Sequence, residues 1–182
     1  MRRAAVVVIL LAAAVAGGCR KETPASGNLN VANRVAVRLV RLYFESPQML
    51  LTAEPRNIAL PESPAAAIPV VVKELMKGPA AAGGTAMRLF PADTVVRGTY
   101  LLPGGTVVVD LGGTTLTQGW GTGSHQELMA VYSLVQTLTA NFADARRVRI
   151  VVNGSPAETL AGHVSLSRSL VPAPALVDPR AR

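Results

Sequence analysis

Cysteine is nearly absent. Cys19 stands alone in 182 residues, so no disulfide can form within the chain. Aromatic residues are scarce at 4%, which leaves Val, Leu, Ile and Ala to build a core. Histidine occurs twice, at His125 and His163, with no ligand cluster beside either. That matches no zinc or iron spacing, and no metal or cofactor is expected. Acidic side chains number 11 against 18 basic ones, a formal charge of +7. The basic residues are scattered, without the stripe, recognition helix or stacking aromatics of a nucleic-acid binder, so no nucleic-acid partner is expected. What is abundant is apolar: 49% hydrophobic against 16% charged residues, the composition of a chain that folds. Its length suits one well-cored domain.

MRRAAVVVILLAAAVAGGC (1–19) is laid out as an export signal, with Arg2 and Arg3 ahead of an uncharged stretch from Ala4 to Ala16. That stretch is too short to cross roughly 30 Å of hydrocarbon as a helix. Gly17 and Gly18 then lead into Cys19, as in a bacterial lipobox, although Ala16 stands where a leucine is usual. The reading is a lipoprotein signal over 1–18, with lipid on Cys19 as the membrane partner. Loss of Arg2 and Arg3 on cleavage takes the formal charge from +7 to about +5. Residues 19–33 are polar and turn-rich and read as a flexible tether spanning about 20 Å.

The folded domain is expected over 34–168. Arg34–Glu45 reads as a strand whose alternation is broken by Arg38 and Arg41, three apart; a bulge or a change of exposed face would explain it. Glu54–Leu60 is a second, shorter strand. Ser63-Pro64 opens a helix that Gly78-Pro79 closes, and Pro69 either starts it or kinks it. Thr94–Leu102 and Thr106–Leu111 flank Pro103-Gly104-Gly105 as a hairpin, its second arm apolar enough for burial on both faces. Arg146–Val152 is the last strand. The proline-rich tail, 169–182, is expected to lie extended over the surface.

GTGSHQEL (121–128) raises the question of catalysis. Leu128, Val131, Tyr132, Val135, Leu138 and Phe142 fall at helical spacing, so a helix must begin just before them. Ser124 and Glu127 have the S-x-x-E spacing of a capping box, which satisfies orphan N–H groups at both residues. A nucleophile elbow would need glycine two residues after the serine, and a P-loop would need a lysine; neither is present. A Ser124–His163–Asp110 triad, with His125 as an alternative base, can be drawn but has no geometric support. No catalytic residue is assigned. Arg56 and His163 remain polar positions that the pattern alone does not place.

Read together, RLYFE (41–45), EPRNI (54–58), VVKELMKGP (71–79), VVVDL (107–111), SHQELMAVYSLVQTLT (124–139), VRIVVNG (148–154) and ETLAGH (158–163) resemble the GerMN domain of sporulation and germination lipoproteins. The resemblance implies one small α+β domain in the order β-β-α-β-β-α-β. Its mixed or antiparallel sheet would have four to five strands with two main helices packed on it, similar to ring-building domains of secretion assemblies. It also implies a non-catalytic lipoprotein of the cell envelope whose partners are other envelope proteins or itself. The alternatives are a lipoprotein that binds a wall polymer or small ligand, and a Ser-His hydrolase. Assembly calls for an exposed apolar or strand-edge surface, and ligand binding for a concave pocket.

Overall fold

The computed structural model describes residues 34–80 and 86–181. The signal, the tether and Cys19 lie outside the described residues. The chain runs β1 (Val35–Glu45), β2 (Leu51–Pro61), α1 (Pro64–Met76), β3 (Val95–Leu102), β4 (Thr106–Gly112), α2 (Thr114–Gln118), α3 (Ser124–Asn141), β5 (Arg147–Val152) and β6 (Ser155–Pro156). This is the expected α+β order with a short α2 and a short β6 added.

The strands divide between two sheets. β1 and β2 form an antiparallel ribbon, and β3-β4-β5-β6 form a mixed sheet in which β4 and β5 run parallel. α1 packs against β2 and β3, α3 packs against β1 and β5, and the helices touch each other. The helices therefore supply the layer that both sheets share. The core runs from Val40 to Val177, with Phe44, Leu42, Leu51, Ile68, Leu111, Met129, Leu134, Leu138, Ile150 and Leu166 fully buried. Among the described residues the core begins at Val40.

Local chemistry accounts for the boundaries. β2 runs through Pro55, opposite Arg41, because the backbone groups at that pair face away from β1 and the missing N–H breaks no ladder bond. α1 begins at Pro64 and carries Pro69 within it. At the β3–β4 turn, Gly105 adopts φ 79, and a Cβ there would meet the Asp144 carbonyl at 2.7 Å. The close approach lets the Gly105 carbonyl accept from the N–H groups of Arg146 and Arg147, which fixes the start of β5.

An open alternative is settled, and other expectations change. β1 has no bulge: its register with β2 is continuous from Val35↔Pro61 to Glu45↔Leu51, and the odd alternation marks a change of exposure along the strand. β4 buries one face, through Val107, Val109 and Leu111, while Val108 and Asp110 stay half-buried. The tail is a strap and not a loose extension. Leu170 exchanges backbone hydrogen bonds with Val148 at 2.7 and 2.8 Å, and Asp178 N–H donates to Leu51 O at 2.9 Å. Val177 and Asp178 are buried, so the tail joins the mixed sheet to the ribbon and belongs to the domain.

Candidate interaction surface

β1 is an edge strand, and its two halves meet different surroundings. In the antiparallel ladder, Arg34 O accepts from Glu62 N–H, so even-numbered residues turn their backbone toward β2 and odd-numbered ones turn it away. In the C-terminal half, helix α3 fills the place of a missing strand. The Tyr43 N–H donates to Thr137 Oγ1 at 3.0 Å, and the Ser133 hydroxyl donates to Tyr43 O. Arg41 N–H donates to Asn141 Oδ1 at 2.9 Å, and Asn141 Nδ2 donates to Arg41 O at 2.7 Å. Ser133, Thr137 and Asn141 recur every fourth residue, one turn apart, which matches the climb of alternate strand residues. Met87 N–H closes the strand end by donating to Glu45 O at 3.3 Å.

The ladder stops at Arg41. Val35, Val37 and Leu39 turn their backbone groups to the open edge and have no partner there among the described residues. Their side chains are 61%, 70% and 66% exposed. They share the ribbon's outward face with their cross-strand partners Pro61, Ala59 and Asn57. Arg41 and Pro55 follow on the same face, and then Tyr43, buried beside Pro174 and Val177 of the strap. Arg34, Arg38 and Arg41 are all exposed; Arg38 reaches back to the Pro61 carbonyl.

The residues singled out from sequence are dispersed. Ser124 is not the cap: it is the first residue of α3, exposed, while Gly123 occupies the N-cap position without a side-chain bond. Glu127 does not reach back either. It is fully buried and clamps the 160–163 loop, with Oε1 accepting from Leu160 and Ala161 N–H, both at 2.9 Å, and Oε2 from His163 N–H at 2.8 Å. His163 Nδ1 lies 3.1 Å from Oε2. Gly162, at φ 95, bends the loop so that these donors converge. Burial pushes the Glu127 carboxyl up, but backbone N–H groups of Ala161, His163 and Leu160 outweigh it and hold it below the usual carboxylate range. The capping box misled because a carboxylate on the first turn of a helix can satisfy a neighbouring loop as readily as its own N-terminus.

The drawn triad does not assemble. Asp110 accepts from Gly154 N–H and pairs with Arg97, His163 serves Glu127, and Ser124 touches neither. Arg56 is a tie-rod: its guanidinium donates to Glu54, Glu74 and the Gly78 carbonyl and stacks 5.5 Å over Phe44. His125 is paired to the buried Glu45 at 2.7 Å. That pair lines a cavity of about 470 Å³ with Ser46, Met49, Met87 and Leu89. The Ser46 hydroxyl is buried without a hydrogen-bond partner among the described residues. Among the described residues no cluster of His, Cys, Asp or Glu could hold a metal ion, and no helix is long and apolar enough to cross a membrane.

Comparison with known proteins places this geometry. The model of the Germane family, described as sporulation and spore germination, matches residues 41–158. A crystal structure of a candidate lipoprotein from Clostridium perfringens aligns with a TM-score of 0.54 at 14% identity, covering 75% of this chain and 87% of that one. The first GerMN domain of the sporulation protein GerM from Bacillus subtilis aligns with a TM-score of 0.55 at 18% identity, covering 74% and 97%. The tandem GerMN domains of the same protein give 0.54 at 19% identity, over 75% of this chain and 46% of theirs. No curated protein matches. The family match begins at Arg41, where the helix-backed half of β1 begins, and leaves out Val35–Leu39.

Proposed function

Because the chain belongs to the Germane family of sporulation and spore germination, we propose that it is a non-catalytic GerMN-like domain that assembles with other proteins in the bacterial cell envelope. Lipid on Cys19 would hold it at the outer face of a membrane. The observation that carries the reading is the β1 edge from Val35 to Leu39, which has no partner among the described residues and carries exposed aliphatic side chains. Such an edge receives a strand from a partner, main-chain bonds giving affinity and alternate side chains giving selectivity. Confinement by a tether of about 20 Å raises the effective concentration of neighbouring envelope proteins, so a weak edge contact suffices.

The test is crosslinking through a photoreactive residue placed at Ala36, exposed on the opposite face of the same edge strand. The membrane-bound protein is expected to capture an envelope protein or a second copy, and the Cys19→Ala form to capture much less. Equal capture by both forms, or no acyl mass on Cys19, would contradict the tethered reading. Turnover of ester, peptide or glycan substrates that is lost in Ser124→Ala or His163→Ala would overturn the non-catalytic one.

A second reading, a lipoprotein that binds a small ligand, is favoured by the cavity beside the unpartnered Ser46 hydroxyl. The two separate cleanly: Ser46→Ala and His125→Ala should leave capture at Ala36 unchanged if the edge is the working surface.

A further inference from the structure

We infer that the outward face of the β1–β2 ribbon docks on an anionic phospholipid surface. The inference deepens the membrane-tethered reading and rests on it.

The face is built for an interface between water and acyl chains. Val35, Val37, Leu39, Ala59 and Pro61 lie with Asn57 on the outward face at the ribbon's open tip, where every β1 residue from Val35 to Leu39 is exposed, while Leu60 and Ile58 of β2 pack on the core from the opposite face. Isolated apolar side chains on a surface are ordinary, but an aligned set along one strand marks a site of contact. Farther along the same face Tyr43 is buried beside the strap, so the uncovered part continues a surface that is already covered at its other end.

Charge selects the occupant. Arg41 shares the apolar face, and Arg34 and Arg38 leave the ribbon from its other side, within reach of the same plane because long arginine stems bend toward a polar boundary. The exposed acid at this tip is Glu62, while Glu54 is held by Arg56. The tip is therefore basic. A second copy stacked on this face would bring both sets of arginines together, which opposes self-association through it. Anionic headgroups meet the same charges favourably.

The position of the chain agrees. Fourteen residues separate Cys19 from Arg34, and as the tether of the proposed reading they would span about 20 Å. On that reading the ribbon tip is the part of the described domain that joins the tether. With its face on lipid, the open β1 edge lies in the membrane plane and stays available to a lateral neighbour.

The test uses the chain from Asn28 onward, which keeps every core residue found among the described residues and removes Arg20, Lys21 and Cys19. It is expected to sediment with phosphatidylglycerol-containing vesicles and not with phosphatidylcholine alone, and to lose binding as salt rises. Replacing Arg34, Arg38 and Arg41 by Gln should weaken binding about a hundredfold, from about 1 kcal/mol per arginine. Val37→Asp with Leu39→Asp should abolish binding, while thermal melts stay unchanged because both side chains are exposed. Failure to bind anionic vesicles, or undiminished binding by the double Asp variant, would overturn the inference. So would a dimer seen by light scattering that Val37→Asp dissolves, since a second copy would then own the face. The fragment lacks Cys19, so these outcomes bear on docking alone; acyl mass on the full chain bears on the tether alone.

Discussion

The two halves of β1 are alike in sequence and opposite in circumstance. VAVRL (35–39) and VRLYFE (40–45) both mix aliphatics with arginine, and both sit in one unbroken antiparallel ladder with β2. The second half is backed by α3, whose Ser133, Thr137 and Asn141 satisfy the outer edge at Arg41 and Tyr43. On its outer edge the first half has neither helix nor strand beside it among the described residues. A polar stripe on a helix can close a sheet edge, and where the helix ends the edge opens. The family match begins at the same boundary, at Arg41.

The sharpest way to break this comparison is to cut the same side chain in each half. Leu42→Ala, fully buried, should cost about 2–5 kcal/mol, while Leu39→Ala should stay within about 0.5 kcal/mol; paired denaturant melts check both. Next in size is Glu127, which anchors the N-terminal end of the helix that carries the ladder. Glu127→Gln offers one acceptor oxygen where two are used, and sets an NH2 against donors, for a loss of up to about 3 kcal/mol at neutral pH. The native carboxyl is held below its ordinary value, so its contribution is complete above about pH 4.3 and is lost as pH falls through the folded value. Melts across pH should show the acid limb flattened in the variant.

Thr137→Val keeps the volume and removes the acceptor for Tyr43 N–H, for about 1–2 kcal/mol in a melt. The smallest effect belongs to Ser124→Ala, which should change stability by less than about 0.5 kcal/mol because the hydroxyl caps nothing. A loss near the 1 kcal/mol typical of a removed cap would restore the capping box.

Much of this architecture is legible in the residues, because periodicity and turn chemistry are local. The element order, the Pro-Gly-Gly hairpin and the helix after GTGS all follow from neighbours within a few positions. What fails to show is long-range. Glu127 meets a loop 33 to 36 residues away, and Ser133, Thr137 and Asn141 meet a strand 90 to 100 residues earlier. In sequence those three polar residues, four apart, look like a solvated helix face. The helix is in fact buried on most sides, at Met129, Ala130, Val131 and from Ser133 to Leu138, so the single stripe expected of it was too narrow. The proline-rich tail looks loose because its bridges to Val148 and Leu51 leave no local mark.

Native-state hydrogen exchange on the chain from Asn28 onward tests the central claim most directly, residue by residue along β1. The amides of Arg41 and Tyr43 should be protected by α3, while those of Val35, Val37 and Leu39 exchange at rates close to an open chain. Protection at Val37 and Leu39 equal to that at Tyr43, in the isolated domain, would contradict an open edge and the interaction surface built on it.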